Sequence, residues 1–214
     1  WKERPEEPSC PIFPYDMAYA GKSAVEKRQE IAALMRKKGV AATVLNNPAS
    51  IAWLLNIRGG DVDYVPLPLS RAILNNDGTV EWFVDMRKIT QALPTHLGDG
   101  ISILPPEEFS PALENLSRSG KAVFVDPNQT PSWITDRLTA VHGKVERGED
   151  LCALPRTIKN GVELEGMRAA HVRDGAALAK FLMWIDAHID KGHLTELDAE
   201  RALAEFRQSN LHYR

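Results

Sequence analysis

The side chains that could do chemistry are few and scattered. A metal site needs His, Cys, Asp or Glu at spacings that let them converge. The six histidines are His96, His142, His171, His188, His193 and His212, and none stands in a His-Glu-x-x-His arrangement. His188 and His193 lie five apart, a poor bite that suits a solvated helix end better than a metal. His171 falls among apolar residues at helical spacing, which fits a packed, hydrogen-bonded histidine better than a catalytic one. Cys152 precedes Pro155 with no histidine close in sequence, the pattern of a buried small hydrophobe. There is no Gly-x-Ser-x-Gly elbow. The acid pairs Glu163/Glu165 and Glu196/Asp198 fall in first turns of helices, where they favour the helix dipole. No Gly-rich nucleotide fingerprint or phosphate loop occurs. Arg58-Gly59-Gly60-Asp61 is too short to cradle a pyrophosphate, yet such a loop brings backbone and charge close to a ligand. Arg58 and Asp61 are therefore the candidates to approach a ligand, with an Arg58–Asp61 pair that merely fixes the turn as the alternative. Trp53, Trp82, Trp133 and Trp184 are spread one per element, which means core packing rather than a base-stacking platform.

Composition narrows the class. The 214 residues hold 26 Lys+Arg against 29 Asp+Glu, a net charge of −3, with 43% hydrophobic and 26% charged residues. These values exclude collagen, a disordered tail and a disulfide scaffold. The near-neutral balance argues against a general nucleic-acid binder, which wants a basic face. No apolar run approaches the roughly 20 residues that span a bilayer. Two distant cysteines make no disulfide framework and suggest a reducing, cytoplasmic setting. Trp1 in place of a starting Met, and Arg214 directly after a helical run, lead us to expect cut rather than natural ends.

The elements that must position these residues follow from pattern. Residues 1–20 carry Pro5, Pro8, Pro11 and Pro14 among acids and read as an extended interdomain connector, with a frayed terminus an equal alternative on composition. Ser23-Ala24-Val25-Glu26 has the form of a capping box. Ile31, Leu34 and Met35 follow on one face, and Lys37, Lys38 and Gly39 make a helix stop. Val40–Leu45 predicts a buried strand and Ile51–Asn56 a short helix. Strands at Ser70–Leu74 and Val80–Asp85 flank Asn75-Asn76-Asp77-Gly78, a hairpin signal. Helices at Arg87–Leu93, Glu107–Ser117 and Ser132–Val141 then alternate with strands at Ile101–Leu104, Ala122–Val125 and Lys144–Arg147. The alternation predicts an α/β layer fold, and the hairpin makes its sheet mixed. From Asn160 to Arg207 no strand is expected. Asn160 and Glu163 cap a helix whose stripe runs Leu164, Met167, His171, Leu178, Leu182, Ile185 and Ile189. Gly192 breaks it and Thr195-Glu196-Leu197-Asp198 restarts a helix toward Phe206. Two helices cannot bury their own apolar faces, so they read as the opening of a second domain whose sheet is missing.

Three stretches carry a family resemblance. Ser50-Ile51-Ala52-Trp53-Leu54-Leu55-Asn56-Ile57-Arg58-Gly59-Gly60-Asp61 resembles the signature of the second domain of the long, three-domain Xaa-Pro aminopeptidases (aminopeptidase P). Tyr19-Ala20-Gly21-Lys22-Ser23-Ala24-Val25-Glu26-Lys27 resembles the opening of that domain. Ile158-Lys159-Asn160-Gly161-Val162-Glu163-Leu164-Glu165-Gly166-Met167, continuing to Gly175, resembles the start of the catalytic domain, and Leu194–Asp198 with Glu205-Phe206-Arg207 its next helix. The matches occur in family order and span nearly the whole chain.

The resemblance implies an α/β fold: a creatinase-like N-terminal-type domain with a mixed β-sheet flanked by helices, then the first helices of a truncated pita-bread domain. It divides the chain into a connector, 1–20, a creatinase-like domain, 21–155, and the start of a pita-bread metallopeptidase domain, 156–214. The parent protein is expected to be a cytoplasmic, homodimeric hydrolase that releases the N-terminal residue from peptides with proline second. Family members bind two divalent ions, commonly Mn2+, through two Asp, one His and two Glu, and a metal-bridging hydroxide attacks the scissile carbonyl. Those five ligands follow the segment that resembles this chain, so no catalytic or metal residue is carried over. The chain alone is expected to be an inactive piece of the enzyme without a metal of its own, with Arg58 and Asp61 as substrate-loop candidates. No nucleic-acid or membrane partner is implied. A creatine-hydrolysing or proline-dipeptide-cleaving relative is a rival that the Trp-Leu-Leu-Asn-x-Arg-Gly wording argues against. A non-catalytic peptide- or protein-binding or dimerisation module of the same fold is a rival of another class.

Overall fold

The computed structural model describes residues 3–210 and Tyr213, apart from the side chain of Lys191. The chain divides into two units, Trp1–Lys159 and Asn160–Arg214. The first unit runs β1 (Phe13–Pro14), α1 (Met17–Ala20), α2 (Ala24–Lys38), β2 (Ala42–Leu45), α3 (Pro48–Leu55), β3 (Ile57–Arg58), β4 (Arg71–Asn75), β5 (Val80–Phe83), α4 (Leu93–Leu97), β6 (Ile101–Leu104), α5 (Phe109–Ser119), β7 (Ala122–Val125), α6 (Ser132–Thr139), β8 (Lys144–Arg147) and α7 (Ala153–Thr157).

Local chemistry sets the boundaries. At the start of α2 the Ser23 hydroxyl accepts from Glu26 N at 3.2 Å, and the Glu26 carboxylate accepts from Ser23 N at 2.9 Å. These bonds hold the Glu26 carboxyl below its usual pKa, because Ser23 donates to its charged form. Gly39 ends α2 in the left-handed region at φ 72°, which costs glycine nothing. Gly78 closes the β4–β5 hairpin at φ 91°.

Six strands form one sheet in the order β6-β5-β4-β2-β7-β8. The central β2 is antiparallel to β4 and parallel to β7; β4 and β5 are antiparallel, while β6 and β8 extend the edges in parallel. The sheet is mixed, as the hairpin requires. Because side chains alternate across a strand, β4 sends Ala72 and Leu74 to one face and Ile73 to the other. The first face packs against Ile31, Met35, Ile51, Leu54 and Leu55 of α2 and α3. The second packs against Phe109, Leu113, Ile134 and Leu138 of α5 and α6. Trp53 and Trp82 are buried, whereas Trp133 is 40% exposed and meets Phe109 edge-on at 5.9 Å. Core packing therefore accounts for the first two tryptophans and only one edge of the third.

Two stretches differ from expectation. Residues 3–9 are exposed and irregular, but Ile12 is fully buried and the segment after it is built into the fold. Strands β1 and β3 pair, Phe13 opposite Arg58 and Pro14 opposite Ile57. A two-stranded sheet has only edge strands, where a proline without N–H is tolerated. Proline content suggested a connector because it says nothing of where Ile12 lands. In place of a helix over Arg87–Leu93 there is a single 3₁₀ turn, Met86–Lys88, and α4 begins only at Leu93. The backbone between them is drawn out: Ile12 N donates to Lys88 O at 2.8 Å, and the Thr90 hydroxyl donates to Ile12 O at 2.8 Å. Pro94 then occupies the first turn of α4.

The second unit holds α8 (Gly161–His188), a 3₁₀ turn at Ile189–Lys191 and α9 (Glu196–Gln208). Asn160 and Thr195 cap the helices with Glu163 and Asp198 three residues on. Arg207 of α9 forks onto Asp174 of α8 at 2.7 and 3.1 Å and holds its carboxyl below the usual range. Leu164, Met167, Leu178, Leu182 and Ile189 of the expected stripe are exposed. His171 is exposed too, its Nδ1 2.8 Å from Met167 O, so it is tied to its own helix rather than packed in a core. No helix among the described residues is long and apolar enough to cross a membrane.

Candidate functional site

The glycine-rich loop leaves the end of α3, and its placement begins with Asn56. Asn47 starts α3 by accepting from Ala49 N at 2.9 Å, and Pro48 fills the first turn. The helix stops at Asn56, which takes the left-handed conformation at φ 50° and is 2% exposed. Asparagine tolerates this region better than other side chains. Its Oδ1 accepts from Lys27 Nζ at 2.6 Å, its Nδ2 donates to Lys22 O at 2.9 Å, and its carbonyl accepts from Tyr15 N at 2.8 Å. His96 Nε2 lies 2.8 Å from the same carbonyl and 3.3 Å from Leu55 O; both are acceptors, so this nitrogen carries the hydrogen. Lys27 is buried, donates to Trp53 O at 3.0 Å and sits 4.8 Å from the Trp53 ring centroid.

Beyond this network the loop is held at its base. The Arg58 guanidinium lies 3.9 Å from the Tyr15 ring centroid, and Nη1 donates to Ile57 O at 2.8 Å and Ala52 O at 3.4 Å. Gly59 admits no side chain, because a Cβ there would stand 2.9 Å from Pro68 Cβ and 3.2 Å from its backbone. The Asp61 side chain is fully buried, and Lys88 is 4% exposed. Asp61 accepts from Lys88 Nζ at 2.7 Å, Leu69 N at 2.7 Å and Cys10 N at 3.1 Å. One carboxylate thus ties together residues 10, 61, 69 and 88. Between the tied ends the loop runs outward to Tyr64, 97% exposed at φ 62°, flanked by exposed Val62 and Val65.

Arg58 and Asp61 share the loop, and the buried Asp61 carboxylate is paired with Lys88, a partner not weighed from sequence. Lys88, Asn56 and Lys27 were missed. Asn56 had a signal, an asparagine directly after an apolar helical run. Lys88 had none, since nothing in the 26 residues between it and Asp61 marks the contact.

The arrangement can hold a loop at its base and present its tip. Among the described residues no group of three or more His, Cys, Asp or Glu could hold a metal ion. The remaining buried acids are structural. Asp126 accepts from Asn128 N at 2.8 Å and Asp150 N at 3.0 Å, and Asp150 accepts from Cys152 N at 2.9 Å and from the Ser50 hydroxyl. Burial, reinforced by Asp150, pushes the Cys152 thiol well above the usual thiol range, so it is a poor nucleophile.

Comparison with known proteins places this architecture. Residues 3–163 match the creatinase/prolidase N-terminal domain. The probable Xaa-Pro aminopeptidase P of Coccidioides posadasii (strain C735) is 34% identical over 97% of this chain and 33% of its own length. That of Penicillium rubens is 35% identical over 98% of this chain and 35% of its own. The solved X-prolyl aminopeptidase from Caenorhabditis elegans, described as a cytosolic enzyme with a di-nuclear active site, superposes on 100% of this chain and 35% of its own. The TM-score is 0.90 at 25% identity. An Xaa-Pro dipeptidase from Bacillus anthracis shares the fold at a TM-score of 0.65 and 16% identity, over 89% of this chain and 51% of its own. The chain spans about a third of the length of the curated relatives it matches. It belongs to the creatinase/prolidase N-terminal domain family.

Proposed function

We propose that this chain serves within a metal-dependent Xaa-Pro aminopeptidase, an enzyme that removes the N-terminal residue from peptides with proline second. The observation that carries this reading is 34% identity over 97% of the chain to a probable Xaa-Pro aminopeptidase P. In this reading residues 21–155 are the creatinase-like domain, residues 156–214 open the pita-bread catalytic domain, and the whole protein is a cytoplasmic homodimer. The di-nuclear site of the C. elegans neighbour supports two divalent ions in the whole enzyme, with Mn2+ as the expected metal. The donor set present here does not fit them, since no group of metal-competent side chains converges among the described residues. The chain's own part is then positional, and by itself it is inactive.

Within that role the loop from Arg58 to Leu69 faces substrate. Asp61 and Lys88 fix its base, and Arg58, laid over Tyr15, supplies the charge that approaches the peptide. The test is Arg58→Ala in the full-length enzyme. A raised KM with unchanged thermal stability supports a substrate role. Unchanged kinetics with lowered stability assigns Arg58 to the loop's own structure.

A second reading, a non-catalytic peptide- or protein-binding or dimerisation module, is favoured by the exposed apolar residues along α8. Full-length protein that lacks hydrolysis of Xaa-Pro peptides, while retaining peptide binding or self-association, decides for it.

A further inference from the structure

A cavity of about 260 Å³ opens between the sheet and α5, near the β6 edge. Its lining is mixed: Leu104 of β6 and Pro111, Ala112 and Leu116 of α5 give the apolar part, and Asn115 lies beside them. Two carboxylates meet it: Glu81 of β5 and Glu108, just before α5. Strand alternation explains Glu81. It shares a face with Phe83, which belongs to the core cluster under α5, and it stands opposite Ile73 of the same cluster. Glu81 is thus an acid beside the apolar Ile73 and Phe83, with Ser102 as its partner on β6 and Arg71, opposite Phe83, on the same face. Burial raises its carboxyl pKa, and a hydrogen bond with the neutral Asn75 side chain opposes this. Among the described residues no Lys, Arg or His forms an ion pair with Glu81 or Glu108. A partly desolvated charge without a counter-charge is costly, and a ligand that supplies one recovers that cost.

We propose that this cavity binds an amphipathic monocation of arginine or lysine type, its aliphatic stem on Leu104, Pro111, Ala112 and Leu116 and its head group on Glu81. Glu108 adds a second negative charge at the rim. The volume falls just below the ~300–1,000 Å³ of drug-sized sites, as suits one long side chain or a small amine. A guanidinium satisfies the site better than an ammonium, because its planar fork bonds a carboxylate bidentately.

The test is an amide NMR titration of the 214-residue chain with n-butylguanidinium, with the capped tripeptide Ala-Arg-Ala, and with neutral n-pentanol. Saturable shifts at Leu104, Ala112 and Leu116 are expected with the cations, and binding at least about tenfold weaker with the alcohol. Glu81→Gln keeps the shape and should weaken the cations by a similar factor; Ala112→Leu fills the cavity and should abolish binding with Glu81 intact. Tighter binding of the peptide assigns the cation to a protein partner, and tighter binding of n-butylguanidinium assigns it to a free small molecule; each supports the site. Equal affinity for the alcohol, unaltered binding by a folded Glu81→Gln chain, or no saturable shift with any probe overturns it.

Discussion

Asp61→Asn leaves Lys88 with a buried ammonium and no counter-ion. Breaking one side of a buried pair costs about 3–5 kcal/mol, so urea unfolding of the variant should show a loss of that order. Adding Lys88→Met to Asp61→Asn should recover part of it, because the stranded charge is gone. If Asp61→Asn costs nothing measurable, the loop is not anchored as described. Cys152 gives a prediction in pH. Its thiol is raised by burial in the folded chain and returns to about 8.5 when unfolded. Above the unfolded value the unfolded chain has lost a proton that the folded chain keeps, so stability falls as pH rises from there toward the folded value. Cys152→Ala should lower stability at neutral pH through its cavity and flatten that alkaline decline. In the native chain, thiol reagents should modify the partly exposed Cys10 well before Cys152.

At the scale of elements, the stretch before α1 is the sharpest departure from the sequence. Ile12 is fully buried and bridged to Ile89, so Ile12→Ala should cost about 2–5 kcal/mol in chemical denaturation. A connector residue would cost nothing. The longer helices and the strands of the six-stranded sheet were legible because their signals are local: capping boxes at Ser23 and Asn160, the Asn75–Gly78 turn, and short apolar runs between them; the short α1, α4 and α7 were not. What was not legible depends on contacts far apart in the chain. The pairing of β1 with β3 joins residues more than 40 apart, and neither two-residue strand has a period to read. The bridge from Ile12 to Ile89 likewise drew out a segment whose composition favoured a helix. The loop was visible from its glycines, but the Lys88 that fixes it was not.

At the scale of the whole molecule, the chain combines a rigidly anchored loop with a helical unit whose apolar residues are largely exposed. That combination suits a part that positions something else. The curated relatives are about three times longer, and the C. elegans enzyme is described as having a di-nuclear active site, whereas among the described residues here no group of three or more His, Cys, Asp or Glu could hold a metal ion. The most direct test compares hydrolysis of an Xaa-Pro tripeptide by the 214-residue chain and by the full-length protein, side by side in Mn2+. The account predicts release of the N-terminal residue by the full-length protein and none by the chain. Turnover by the chain alone, or a metal-loaded full-length protein that leaves the peptide intact, would contradict it.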